Sequence, residues 1–175
     1  MAKKLLKEFK ADHANEPLRF QQPDKRYIFR KYDERMEGSK MDEVKYKDYV
    51  FPRNLKYSKE HGWVKEEGEK VRIGITDYAQ GQLKEIVYVE LPEKGDEIIK
   101  GESYGVIESI KALEDLIAPI SGRILEVNEA VVDNPTIISE DPYGKGWVLV
   151  VEPSERSELE TLLTAEEYVE QLKKE

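Results

Sequence analysis

Two segments of the chain share one spacing. Pro92-Glu-Lys-Gly95-Asp-Glu-Ile98 and Pro119-Ile-Ser-Gly122-Arg-Ile-Leu125 are offset by 27 residues. Downstream, Gly101 matches Asn128, two residue types that tolerate a positive φ. Halves of this size cannot each bury a core, so the repeat predicts two sheets packed as a sandwich. Between the halves runs GESYGVIESIKALEDLIAPISG, residues 101–122, with the lone cation Lys111 near its middle. Its two sides read as strands, which puts Lys111 at the tip of a hairpin.

The rest of the second part of the chain has the same texture of short strands between turn signals. EKVRIGIT (69–76) alternates at Val71, Ile73 and Ile75. A short helix is expected next, capped by Thr76 or Asp77 and holding Tyr78 to Leu83. IVYVEL (86–91) is apolar enough to predict a buried strand, and LPEKG makes a turn. DEIIK, SYGVIES, EDLIAP, GRILEVN and WVLVVEP complete the strand set. After Pro153 the pattern becomes helical. Thr164 and Glu167 form a T-x-x-E capping box for a last helix ending near Lys174.

Composition shifts near residue 51. All four Phe fall in the first 51 residues with only one of eleven Gly, Gly38, whereas both Trp come later. Residues 1–51 therefore read as an N-terminal extension and 52–175 as the principal module. The extension opens with a helix candidate at residues 2–10, then a polar stretch carrying Tyr27, Phe29, Tyr32, Tyr46 and Tyr49. It fits a partly disordered tail or an arm whose aromatics dock on the module or on a partner.

Charge and residue usage narrow the function classes. Residues 1–50 hold 13 Lys/Arg and 10 Asp/Glu, which leaves −12 on residues 51–175 of a chain whose net charge is −9. A module this acidic is repelled by nucleic acid and suits basic protein partners. There is no cysteine, which excludes a disulfide framework, a thiol nucleophile and a cysteine metal site. His13 and His61 are too few for a histidine-rich metal site. The start MAKKLLKEFK lacks a signal-peptide core, and no apolar run reaches membrane-spanning length. A cytoplasmic protein with no membrane contact is expected.

Lys111 stands out because its neighbours are Ile110 and Ala112, with Glu108 three residues before it and Glu114 and Asp115 three and four after. Nearby negative charge keeps an amine protonated, which argues against Schiff-base chemistry. The remaining use is as the root of a covalently attached, movable cofactor, for which an exposed tip suits the modifying enzyme.

The segment GVIESIKA closely resembles the lipoate attachment motif of the glycine cleavage system H-protein family, E-S-[VI]-K-A. YSKEHGWV (57–64), IGITDYAQ (73–80), IVYVELPEKG (86–95), APISG (118–122), EVNEAVVDNP (126–135), DPYGKGW (141–147) and AEEY (165–168) are also similar to it. The resemblance covers roughly residues 53–175. It implies a mainly β fold, the barrel-sandwich hybrid of lipoyl domains, with short helices and a C-terminal helix. It further implies lipoate amide-linked to Lys111, a motif formed by Glu108, Ser109, Ile110 and Ala112, and a cleft beside the arm containing His61 and Asp115. The implied role is a carrier subunit, not itself an enzyme. A monomer would take an aminomethyl group from glycine decarboxylase to the aminomethyltransferase, be reoxidised by dihydrolipoamide dehydrogenase, and receive lipoate from a lipoate ligase or lipoyl transferase.

Three positions depart from the family pattern. Gly62 stands where a Glu usually follows the histidine, a carboxylate that the resemblance implies can contact the carried amine. Lys84 precedes Glu85 where Gly-Asp or Gly-Glu is usual. Ala112-Leu113-Glu114-Asp115 replaces A-[AT]-S-D. With only Asp115 retained of the implied carboxylate pair, poor aminomethyl loading is expected. An H-like lipoate-binding protein serving other chemistry, such as a sulfur-oxidising heterodisulfide-reductase-like pathway, stays open beside the glycine cleavage role.

Overall fold

The computed structural model describes residues 42–175. The helix candidate at 2–10 and the aromatics Tyr27, Phe29 and Tyr32 lie outside the described residues. Eleven strands are present among them: β1 Glu43–Tyr46, β2 Tyr49–Pro52, β3 Lys56–Tyr57, β4 Gly62–Glu67, β5 Lys70–Ile75, β6 Ile86–Glu90, β7 Glu97–Ile98, β8 Ser103–Ser109, β9 Leu113–Ile117, β10 Gly122–Val127 and β11 Leu149–Pro153. Helices are α1 Asp77–Leu83, α2 Glu129–Asp133, α3 Thr136–Glu140 and α4 Ala165–Lys174, with a 3-10 turn at Arg156–Thr161.

The strands form a six-stranded sheet in the order β3-β4-β5-β11-β10-β7, a three-stranded sheet β6-β8-β9, and the hairpin β1-β2. All pairings are antiparallel. The repeated segments do not build one sheet each. They pair with one another: Ile98 lies opposite Gly122, Gly95 N donates to Ile124 O at 2.9 Å, and Ile124 N donates to Asp96 O at 2.8 Å. Gly101 has the expected positive φ of 86°. Asn128 does not; at φ −82° it caps α2 by accepting from Ala130 N, and its amide donates to the carbonyls of Lys145 and Trp147.

Between the layers sit Val64, Val71, Ile73, Ile124, Leu149 and Val151 on the six-stranded side. Ile86, Val89, Ile107 and Leu116 line the three-stranded side together with Ile75, Leu83, Val131 and Ile138. The strand predicted to be buried, β6, is only half so. Ile86 and Val89 are interior, while Val87 and Tyr88 are about half exposed. A bulge between Ile86 and Tyr88 turns both residues outward from a sheet whose other face is open.

A separate aromatic cluster lies under α4, where Phe51, Tyr57, Trp63 and Tyr168 are fully buried. Tyr57 and Tyr168 stack with centroids 5.0 Å apart, and Phe51 meets both rings edge-on. Trp63 lies across β5 from Gly74, and a Cβ there would come within 2.6 Å of the indole, so the strand carries glycine. Thr164 and Glu167 form the expected capping box of α4. The compact unit begins at Glu43, earlier than the boundary at 51/52 drawn from composition. The reason is Phe51, together with Val44, Tyr46 and Tyr49, which pack on the aromatic cluster.

Candidate functional site

β8 and β9 meet in the turn Ser109-Ile110-Lys111-Ala112. Ser109 is buried, and its hydroxyl oxygen accepts from Lys111 N at 3.2 Å and Ala112 N at 3.0 Å. Ser109 N donates to Ala112 O at 2.8 Å, and Ile110 N donates to Glu85 O at 3.0 Å. A single serine thus closes the tight turn through its own hydroxyl. Lys111 is exposed at the tip, and its ammonium donates to the Gln82 carbonyl at 3.1 Å. That carbonyl belongs to the last turn of α1, the end of a helix where cations are favoured.

Lys111 borders a cleft of about 360 Å³ between α1, the β4–β5 end of the large sheet and the edge strand β9. Ile75, Leu83, Ile107 and Leu116 make its apolar lining; Glu60, Glu114 and Asp115 supply carboxylates; His61, Tyr78 and Tyr104 complete the polar part. Of the residues expected from sequence, His61, Lys111, Ala112 and Asp115 come together here. Glu108, Ser109 and Ile110 do not line the cleft. Glu108 sits on the outer face of the small sheet opposite Tyr88 and Leu113, Ser109 is inside the turn, and Ile110 is 68% exposed. The Asp115 carboxylate accepts from the Ser103 hydroxyl at 3.1 Å.

His61 reaches the cleft from a left-handed backbone, φ 70°. Its Nδ1 is hydrogen-bonded to the Tyr168 hydroxyl at 2.7 Å, and that hydroxyl to the Thr76 hydroxyl at 2.9 Å. Burial lowers the imidazole pKa below its ordinary value, against opposing pulls from Glu175 and Glu60. The ring is therefore held toward its neutral form. Gly62 also lines the cleft, and a Cβ there would lie 3.1 Å from Ser58 Oγ, close enough that Ser58 must yield slightly.

Sequence reasoning missed the contribution of α1. Gln82 supplies the carbonyl that Lys111 contacts, and Tyr78, Ala79 and Leu83 wall the cleft. The helix itself was legible; its closure on Lys111 was not, because the two are far apart in sequence. Lys84 follows α1 at φ 67°, which explains the glycine usual at this position in the resembled pattern. Glu60 and Glu114 are not among the cleft residues expected from sequence, yet both line it with Asp115. These residues come from two places, Glu114 and Asp115 from β9 and Glu60 from the β3–β4 turn.

The family described as Glycine cleavage H-protein matches residues 55–175. A glycine cleavage system H protein of Halalkalibacterium halodurans is 55% identical over 124 residues, covering 71% of this chain and 97% of the relative. Those of Carboxydothermus hydrogenoformans and Bacillus subtilis strain 168 are 53% and 56% identical, covering 72% and 68% of this chain and 97% and 94% of the relatives. The crystal structure of a glycine cleavage system H protein from Mycobacterium marinum superposes with a TM-score of 0.64 at 42% identity, over 70% of this chain and 99% of that one. With a match of this extent, and with ESIKA at the tip of its hairpin, the chain belongs to the glycine cleavage H-protein family.

Proposed function

We propose that this chain is the carrier subunit of glycine cleavage, moving an aminomethyl group on a lipoyl group amide-linked to Lys111. The observation that carries the reading is the position of Lys111, an exposed primary amine on a stiff turn at the mouth of a mixed apolar and acidic cleft. The residues fit the group. An amide at Nζ keeps one N–H, and the Gln82 carbonyl that accepts from the ammonium can accept from that amide as well. Lipoate bound there supplies a dithiolane able to exchange between disulfide and thiol forms.

The chain's own residues supply position and environment. Ser109 fixes the turn, so the root of the arm has one direction. Ile75, Leu83, Ile107 and Leu116 exclude water from the inner cleft. Glu60, Glu114 and Asp115 place negative charge where a carried amine would be cationic, and His61, held toward its neutral form, adds no opposing charge. The absence of cysteine leaves no protein thiol to compete in exchange.

Glycine decarboxylase, the aminomethyltransferase, dihydrolipoamide dehydrogenase and a lipoate ligase or lipoyl transferase are the partners this role requires. Each must reach the tip. The outer face beside it offers Tyr88, Leu113 and Ile110 rimmed by Glu108 and Glu85, a surface suited to a basic, apolar-centred partner. No helix among the described residues is long and apolar enough to cross a membrane. The glycine cleavage role is favoured over other lipoate chemistry by relatives of that name at 53–56% identity.

Expression with lipoate and a lipoate ligase should add the mass of one lipoyl group. Lys111→Arg should abolish it while leaving the melting temperature unchanged. A lipoyl group found on the Lys111→Arg protein would overturn the assignment. The loaded wild type, given glycine and the decarboxylase, should acquire the aminomethyl group.

A further inference from the structure

The hairpin β1–β2 lies before residue 55, where the family match begins, yet it packs within the same compact unit. It touches α1 at both ends. At the start of the helix, Val50 N donates to Asp77 Oδ2 at 3.0 Å; the Tyr143 hydroxyl donates to Val50 O at 2.6 Å and accepts from Asp77 N at 2.9 Å. Toward its end, the Gln82 amide donates to the Tyr49 hydroxyl at 3.3 Å. Between these points the Tyr49 ring meets Tyr78 edge-on, with centroids 5.4 Å apart, and lies against Gly81. A methyl group on residue 81 would run into the Tyr49 ring.

This helix needs outside support. Seven residues are too few to persist alone in water, and Leu83 is its only buried residue. Gly81 in its interior is a poorer helix former than alanine. The sequence therefore gives up helix propensity at the position where a side chain would expel Tyr49. The same short helix presents Tyr78, Ala79, Gln82 and Leu83 to the cleft and the Gln82 carbonyl to Lys111.

We propose that the hairpin is a brace for α1 and that Tyr49 is a positioning residue for the cleft, setting the wall against which the carried group rests. The link to the carried group rests on the carrier reading above; the brace itself does not. Loss of the brace lets α1 open locally, which exposes the cleft to water and shortens the stay of the group.

The first measurement uses the full, unmodified chain. In Tyr49→Ala, amide hydrogen exchange over Ala79–Leu83 should accelerate tenfold or more beyond any change in β5 and β11. Tyr49→Phe, which keeps the ring and loses the Gln82 contact, should fall between. Gly81→Ala should also accelerate exchange in α1, although alanine is the better helix former; slower exchange there would overturn the brace, as would equal acceleration in α1 and the sheets. The second measurement uses the lipoylated chains. Retention of the aminomethyl group should shorten several-fold in Tyr49→Ala, with lipoylation of Lys111 unchanged. Unchanged retention with a loosened α1 would overturn the link to the carried group. An unmodified Lys111 in every protein would instead count against the carrier reading.

Discussion

Around Lys111 the chain is held at the surface by a few backbone and hydroxyl hydrogen bonds, centred on Ser109. Around Tyr168 it is held by fully buried rings contributed by β2, β3, β4 and α4. The first region is built around a four-residue turn, tied to the rest of the chain by Ile110 N on the Glu85 carbonyl and the Lys111 ammonium on the Gln82 carbonyl. The second joins residues more than a hundred positions apart and carries much of the apolar burial. A carrier needs both arrangements: a tip that other enzymes can reach and rework, and a remote anchor that stays unchanged while they do.

The widest separation between the regions should appear in a pair of substitutions. Tyr168→Ala removes a stacked ring and the hydroxyl shared by His61 and Thr76, and should cost about 3–5 kcal/mol. For a chain of this size that lowers the melting temperature by roughly 10 °C. Ser109→Ala strips the acceptor from two turn amides that water can still reach, and should cost about 1 kcal/mol. Its lipoylation rate should fall, whereas folded Tyr168→Ala should be lipoylated at the wild-type rate. Calorimetry and ligase kinetics on both proteins check this. A larger stability loss from Ser109→Ala would break the comparison.

The same contrast explains what could be read in advance. ESIKA, the P-x-x-G turns and the T-x-x-E box are short patterns whose mechanism is local, and each marks its element in the structure. Strand alternation at Val71, Ile73 and Ile75 placed β5 for the same reason. The hairpin β1–β2 was assigned to the extension because its residues are polar and glycine-poor. Only the distant partners of Phe51 and Tyr49, on α4 and α1, reveal that it belongs to the folded unit. Val87 and Tyr88 misled in the opposite sense, since an apolar run does not disclose a bulge. Asn128 shows that a residue able to adopt positive φ is also a good helix cap, and local sequence cannot choose between the two.

His61 joins the two regions, and its titration tests the join. Its folded pKa is lowered, chiefly by burial, while the unfolded chain retains an ordinary histidine near 6.5. The unfolded state thus binds more protons once pH falls below that value, and stability must fall with it. The contribution is fully present above about 6.5 and is lost on acidification. Melting temperature should decline between pH 7.5 and 5.5, and His61→Asn should lose that part of the slope. A wild-type profile that is flat over this interval would contradict the buried neutral ring.

The smallest effect is expected at Gly62, where the sequence alone pointed to a defect. Glu60, Glu114 and Asp115 already line the cleft, so a fourth carboxylate should add little to a field already negative. Partly hydrated pairs of this kind are worth about 0–1 kcal/mol, less than roughly a fivefold change in an equilibrium. The new side chain must also displace Ser58, whose hydroxyl accepts from Gly62 N at 2.9 Å and stands 3.1 Å from the position of a Cβ. That displacement loosens the turn presenting His61 and offsets the electrostatic gain. Lipoylated wild type and Gly62→Glu, loaded with glycine and the decarboxylase, should therefore retain the aminomethyl group for times within about fivefold of each other. A gain of a hundredfold in Gly62→Glu would mean that the three carboxylates do not reach the carried amine. The cleft would then lack an acidic partner that the family pattern places beside the histidine.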